Sequence, residues 1–178
     1  ECISSFNNAR KAGFCNINID LIFGVPEQLN TDWKTDLKEV IKLNPEHISA
    51  YSLTVERKTK LYNLVKAGRI VMPDEESDIE KFQTAIQTLT EAGYQHYEIS
   101  NYSKLNRECY HNMQHWHRNP CYAFGPSSHG FLNSKRYWNV SNIRHYIKSI
   151  SLNELPIENE EILTNENIFN EIIINGLR

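Results

Sequence analysis

Residues 17–23 (Ile-Asn-Ile-Asp-Leu-Ile-Phe) are dense in Ile, Leu and Phe and read as a buried strand within 16–23. One carboxylate, Asp20, interrupts that run, which stops at Gly24, Pro26 and Gln28. Thr31 and Asp32 are cap residues for an amphipathic helix over 33–43, which Asn44-Pro45 breaks. Upstream, Ile3, Phe6 and Ala9 predict a helix over 4–12 that ends at Gly13. A second strand is predicted over 47–55, at a spacing that fits a right-handed parallel crossover. A short helix follows over 60–67. Pro73-Asp-Glu-Glu76 then opens a strongly periodic helix to about residue 92, with Ile79, Phe82, Ile86 and Leu89 on one face. Residues 94–102 read as a third strand.

Periodicity fails over 104–138, a segment crowded with His, Trp, Tyr, Asn, Gly and Pro, which predicts a structured functional loop region. A helix is expected over 142–150, an acidic connector over 151–164 and a further helix from 165 to 174. The chain opens on Glu1 inside a helical pattern and closes on an apolar helical segment. Natural boundaries fall in polar linkers, so this reads as a piece of a longer protein.

An acid near the exit of a strand, followed by a turn and a helix, is how parallel α/β folds present polar groups to a ligand. Asp20 is therefore a candidate binding residue, and equally a turn cap or half of a structural pair. Length and composition add limits. The chain has 178 residues, enough for a real core, with 40% hydrophobic and 23% charged residues, as in ordinary globular domains. A net charge of -3 offers no electrostatic footprint for nucleic acid or a membrane surface. No apolar run approaches the roughly 20 residues of a bilayer span. The four cysteines, at 2, 15, 109 and 121, lack CxxC spacing and suit reduced thiols in a cytoplasmic protein.

Five of the seven histidines (96, 111, 115, 117 and 129) fall within 34 residues. Three explanations compete. Cys109, His111, His115 and Cys121 are four conceivable zinc ligands, although their spacing matches no usual structural-zinc pattern. The histidines can instead satisfy backbone and buried polar groups. The third reading is a site for a flat or metal-bearing ligand, with imidazole as an axial iron ligand and Trp116, Tyr122 and Phe124 covering an apolar macrocycle face. Gly125-Pro-Ser-Ser-His129-Gly130 reads as a glycine-punctuated turn, weak evidence for phosphate binding.

Four motifs occur together and in order: Asp20-Leu-Ile-Phe-Gly-Val-Pro-Glu-Gln28, Asn44-Pro-Glu-His-Ile-Ser49, Gly93-Tyr-Gln-His-Tyr-Glu-Ile-Ser-Asn101 and Glu108-Cys-Tyr-His-Asn-Met-Gln-His-Trp116. In this order they resemble the oxygen-independent coproporphyrinogen III oxidase-like radical SAM family, and within it the HemW-type haem chaperone branch. The resemblance covers almost the whole chain. It implies the C-terminal portion of a partial (β/α)6 barrel followed by a mixed α+β extension. Residues 1–75 would hold the last β/α units, 76–150 the extension with the haem motif, and 151–178 a connector and the start of a helical domain. The cofactors it implies are S-adenosylmethionine, a [4Fe–4S] cluster and haem. Asp20 matches the acid that binds the adenosylmethionine ribose, Ile22 a residue near the adenine, and Thr54 the end of the following strand.

His111-Asn-Met-Gln-His-Trp116 resembles the HNxxYW motif of the chaperone branch, with His115 where that motif has Tyr. By this match His111 is the candidate haem-iron ligand, with Asn112 and Trp116 beside it. The family's CxxxCxxC cluster motif is nowhere in the chain, so the segment by itself is expected to be catalytically silent. The leading expectation is a haem-binding chaperone that passes haem to respiratory proteins. The alternative is an oxidase that decarboxylates coproporphyrinogen III propionates in porphyrin biosynthesis. A third is a scaffold that has lost its ancestral chemistry.

Overall fold

A computed structural model of the chain describes residues 1–26 and 32–178. The Glu27-Gln28 end of the first motif and the Thr31 cap position lie outside the described residues. Local cues set most helix boundaries where the sequence puts them. Asp32 accepts the Lys34 N–H and the Thr35 hydroxyl and starts α2 (Trp33–Leu43). Asn44 closes it in the left-handed conformation, which Asn tolerates better than most residues. Thr59 caps α3 (Lys60–Lys66) and Asp74 caps α4 (Glu75–Glu91), the periodic helix. Helix α1 (Cys2–Lys11) precedes β1 (Asn18–Phe23), and β2 (His47–Ser52) follows α2.

Strands β1 and β2 pair in parallel, Asn18 opposite His47 through Phe23 opposite Ser52, as the crossover spacing predicts. The third predicted strand does not run through. Residues 94–102 instead fold back on themselves, as β3 (Gln95–His96) and β4 (Asn101–Ser103), antiparallel and joined by a turn over 97–100. The turn is held where the Ser100 and Asn101 donors bond the buried Glu98 carboxylate and Ser100 O accepts the Ala50 N–H. Strand composition is overridden there by a buried acid that needs donors. The sheet order is β1-β2-β4-β3, with β4 antiparallel to β2.

This sheet has two unlike faces. Ile48, Ala50, Tyr102 and Phe23 pack with Trp33, Leu37 and Val40 of α2 and Ala85 and Leu89 of α4. The Trp33 indole N–H donates to Lys81 O at 2.8 Å, fastening α2 to α4. The other face carries Asn18, Asp20, His47, Ser49 and Asn101. Hence β1 alternates in exposure instead of being buried along its length, contrary to the reading of its apolar run.

Cα proximity divides the chain into two units, 1–108 and 109–178. In the second, the aperiodic segment contains α5 (Tyr110–Trp116), β5 (His129–Leu132) and β6 (Lys135–Asn139), followed by α6 (Ile143–Ser151). Asn133 and Ser134, both at positive φ, form the two-residue link of the β5–β6 hairpin. The expected acidic connector contains a third strand, β7 (Ile157–Ile162), paired with β6. Its exposed glutamates meet Lys135 and Arg136 across the strands, so a run that reads as solvated loop is a charged edge strand. Helix α7 (Asn165–Gly176) opens with a Thr164–Asn167 capping box. Its Glu171 receives both Arg118 and Arg136.

Two predictions follow from these contacts. Burial pushes the Glu46 carboxyl up, but the Arg10 guanidinium, the Ile17 N–H and Lys104 outweigh it and leave its pKa below the ordinary 4.5. Its contribution to stability is therefore complete above the unfolded-state value and is lost as pH falls through the folded one. Glu46→Gln is expected to destabilise the protein by about 1.5–3 kcal/mol at pH 7. Urea denaturation across pH 7 to 3 should show the difference from wild type shrinking below pH ~4.5. In the second unit, a Cβ on Gly130 would lie 2.3 Å from the ring of its cross-strand partner Tyr137. Gly130→Ala is expected to displace that ring and cost about 1–3 kcal/mol, read as a lower unfolding midpoint.

Candidate functional site

Within the first unit, strand alternation puts Asp20 and Ile22 on the polar face, both exposed, Ile22 at 52%. Thr54 lies just past the end of β2, next to Leu53, whose N–H bonds Phe23 O at 2.8 Å. Asp20 stands mid-strand in β1, while Ile22 and Thr54 lie near or just past the C-terminal edge of two neighbouring parallel strands. That edge is where α/β folds present ligand-binding groups. Beyond β1, Gly24 takes φ +72°, and a Cβ there would meet Asp78 Oδ1 at 2.8 Å and Ser52 Oγ at 3.1 Å. Only glycine lets the chain turn over the strand ends here.

The polar face is a connected network. Asn18 Nδ2 donates to Asp20 Oδ1 at 2.6 Å. Asn18 Oδ1 contacts His47 Nδ1 at 2.7 Å and accepts the Ser49 hydroxyl at 3.3 Å. His47 Nε2 meets the Tyr97 hydroxyl at 2.6 Å. Burial holds the His47 imidazole below its ordinary pKa, against the opposite pull of the Asp20, Glu98 and Glu108 carboxylates. Among the described residues, Asp20 Oδ2 has no hydrogen-bond partner, so one carboxylate oxygen is available to accept a bond. Asn101 Oδ1 and Ser103 Oγ, buried in β4 beside β2, likewise have no partner among the described residues. An anionic acceptor beside an exposed apolar side chain suits a ligand with hydroxyls and a flat heterocycle. The residues present therefore fit the ribose and adenine of S-adenosylmethionine.

Asn18, His47 and Tyr97 escaped the sequence reading. Their signal is the period-two alternation of Asn18 with Ile19 and of His47 and Ser49 with Ile48 and Ala50. Polar residues at every second position on both strands mark one common face.

In the second unit the histidine cluster dissolves into separate roles. His129 stacks on its cross-strand partner Trp138 at 5.7 Å. In the first unit, His96 stacks on Tyr102 at 4.5 Å and its Nε2–H donates to Ile99 O. His111 and His115, one turn apart on α5, are exposed with their Nε2 atoms 3.2 Å apart. Cys121 Sγ lies 3.9 Å from His115 Nδ1. A thiol donating to Nδ1 leaves His115 to donate from Nε2 to the His111 lone pair. His115 then spends both nitrogens, one on each side, so His111, His115 and Cys121 do not converge on one point. Among the described residues no group of three or more His, Cys, Asp or Glu is placed to hold a metal ion.

Asn112 and Trp116 occupy the adjacent helical stripe and are half-buried. Trp116 O accepts from Asn175, and the Arg178 guanidinium lies over its ring at 5.5 Å. The three aromatic residues expected to cover one macrocycle are not together. Trp116 lines a cavity of about 220 Å³ with His115, Arg118 and Phe131. Tyr122 and Phe124 line a larger one of about 460 Å³ with Leu132, Tyr137, Tyr146 and Ile150.

The first unit is thus an open, mixed α/β fold with one polar sheet face. Coproporphyrinogen III oxidase HemN of Escherichia coli, described as a radical SAM enzyme, superimposes on 99% of this chain and 43% of its own, with a TM-score of 0.76 at 20% identity. Similarity in sequence is higher elsewhere. The haem chaperone HemW of Bacillus subtilis is 36% identical over 100% of this chain and 47% of its own length, and that of Lactococcus lactis 32% identical over 100% and 46%. A mitochondrial radical S-adenosyl methionine domain-containing protein of Danio rerio is 33% identical over 73% of this chain and 29% of its own. No protein-family model matches the chain. These findings place the chain among the HemW-like members of the radical SAM family. It spans about half the length of the curated relatives it matches. No helix among the described residues is long and apolar enough to cross a membrane.

Proposed function

We propose that this chain belongs to a radical SAM haem chaperone and presents both its adenosylmethionine ribose acceptor and its haem-iron ligand. The observation that carries the reading is an exposed carboxylate, Asp20, on the polar face of the parallel β1–β2 pair, in a chain similar over its whole length to haem chaperones. Asp20 accepts ribose hydroxyls, Ile22 packs near the adenine and Thr54 borders the same edge. Within the family, adenosylmethionine bound at a [4Fe–4S] cluster is a source of radical chemistry. The four cysteines of this chain do not form a cluster ligand set. On this reading residues 1–75 complete the barrel, 76–150 form the haem-motif extension and 151–178 lead onward.

For haem, His111 is the proposed ligand. Its imidazole is exposed and, among the described residues, its ring nitrogen meets the neighbouring His115, which iron would displace. Trp116, on the adjacent stripe, offers an apolar wall. Four cysteines without the spacing of a disulfide framework agree with work in the reducing cytoplasm, and haem-accepting respiratory proteins are the proposed recipients. The oxidase alternative has weaker support, since the oxidase structure shares 20% identity against 30–39% for haem chaperones.

Asp20→Asn in the full-length, cluster-loaded protein is expected to weaken adenosylmethionine binding by about 1.5–3 kcal/mol, roughly ten- to a hundredfold in Kd. Isothermal titration measures it, and an unchanged Kd would make Asp20 a structural residue. His111→Ala is expected to shift the Soret band and weaken haem binding by about tenfold or more. His117→Ala, in the exposed cap of the same helix, should change neither. Equal spectra and affinities for the two variants would remove His111 as the ligand.

A further inference from the structure

His47 is 6% exposed, and hydrogen bonds engage both its ring nitrogens. Such a buried imidazole needs a reason beyond packing, and its bonds all lead one way. An amide oxygen can only accept, so the 2.7 Å contact to Asn18 Oδ1 requires the proton on His47 Nδ1. Nε2 then carries the lone pair and accepts the Tyr97 hydroxyl at 2.6 Å. With His47 and Ser49 both donating to Oδ1, the Asn18 amide is fixed in one of its two orientations. Its Nδ2 therefore faces Asp20 and donates to Oδ1 at 2.6 Å. The flipped amide would set its oxygen against the carboxylate, an acceptor against an acceptor. One carboxylate oxygen of Asp20 is thus pinned, which sets the direction of the other.

We propose that Asn18, locked by the buried His47–Tyr97 pair, is the positioning residue that aims Asp20 at the adenosylmethionine ribose. This rests on the ribose reading of Asp20 given above. It assigns a role to the turn over 97–100, which reaches back to the polar face through Tyr97. It also makes the tautomer of His47 a property of the site: the Nε2–H form cannot donate to Asn18, and the amide lock is lost with it.

The test uses the full-length, cluster-loaded protein and S-adenosylmethionine as the probe. Asn18→Ala is expected to raise its Kd about tenfold, the effect of one lost hydrogen bond to a charged group. In an Asp20→Asn background the same substitution should add little, because the two act as one unit. Tyr97→Phe removes a single hydroxyl and is the milder variant should Asn18→Ala fold poorly; a several-fold rise in Kd is expected. Imidazole 15N spectra of the unsubstituted protein should show His47 as the neutral Nδ1–H tautomer and need no variant. If Asp20→Asn weakens binding while Asn18→Ala and Tyr97→Phe do not, the positioning role is overturned and the ribose reading stands. If Asp20→Asn binds as wild type does, the ribose reading fails and the positioning role fails with it. An Nε2–H tautomer at His47 overturns the lock whatever the affinities.

Discussion

The strand pleat is the constraint on which the first unit depends. Side chains alternate strictly across a sheet, so a register slip of one residue would exchange its faces. Here that exchange would drive Asp20 and His47 into the helices and expose Ile48 and Ala50. Packing of Leu37, Val40, Ala85 and Leu89 against the apolar face therefore fixes more than stability. It fixes which side chains stand on the other face, at what spacing, and at which end of the strands. The hydrophobic core and the exposed carboxylate are two consequences of one register.

A polar sheet face is costly unless its groups are paired, and the way they pair decides what remains for a ligand. Asn18, His47, Ser49 and Tyr97 satisfy one another in a chain whose tautomer is determined by its acceptors. The chain ends at one oxygen of Asp20 and leaves the other without a partner among the described residues. Burial that lowers the pKa of His47 supports this arrangement, because a protonated imidazole would have no lone pair for Tyr97.

How much of this was legible in the sequence varies with the range of the interactions involved. Helix limits at Asp32, Asn44, Asp74 and Gly93 depend on neighbours within a few residues, and they read correctly. The parallel pairing of β1 and β2 was legible from the length of the crossover. The turn over 97–100 was not, because Tyr97 and Ile99 have strand propensity and only the buried Glu98, with its local donors, reverses the chain. Strand β7 was hidden for the opposite reason: its acidic residues look solvated until Lys135 and Arg136 lie across from them. At the proposed site, Asp20, Ile22 and Thr54 are expectations drawn from the motif, and the structure shows Asp20 and Ile22 exposed on one strand face. The residues behind Asp20 needed the alternation of two strands to be read together.

The histidine-rich segment shows where counting residue types misleads. Proximity in sequence suggested a single cause, but His96 and His129 belong to stacking pairs in different units. That leaves His117 in the cap of α5 and the pair on the helix itself, where replacement of the motif's expected Tyr by His115 changes the chemistry next to His111. A tyrosine has one oxygen to offer. An imidazole between a thiol and a second imidazole can pass a hydrogen bond through its ring, and His115 contacts Cys121 Sγ with Nδ1 and His111 Nε2 with Nε2. When the thiol is the donor, the His111 lone pair is engaged by His115. On the proposed haem reading, iron binding at His111 would displace His115. Affinity at this position would then depend on His115 as well as on the ligand itself, a dependence that the Tyr-containing motif would not build in the same way.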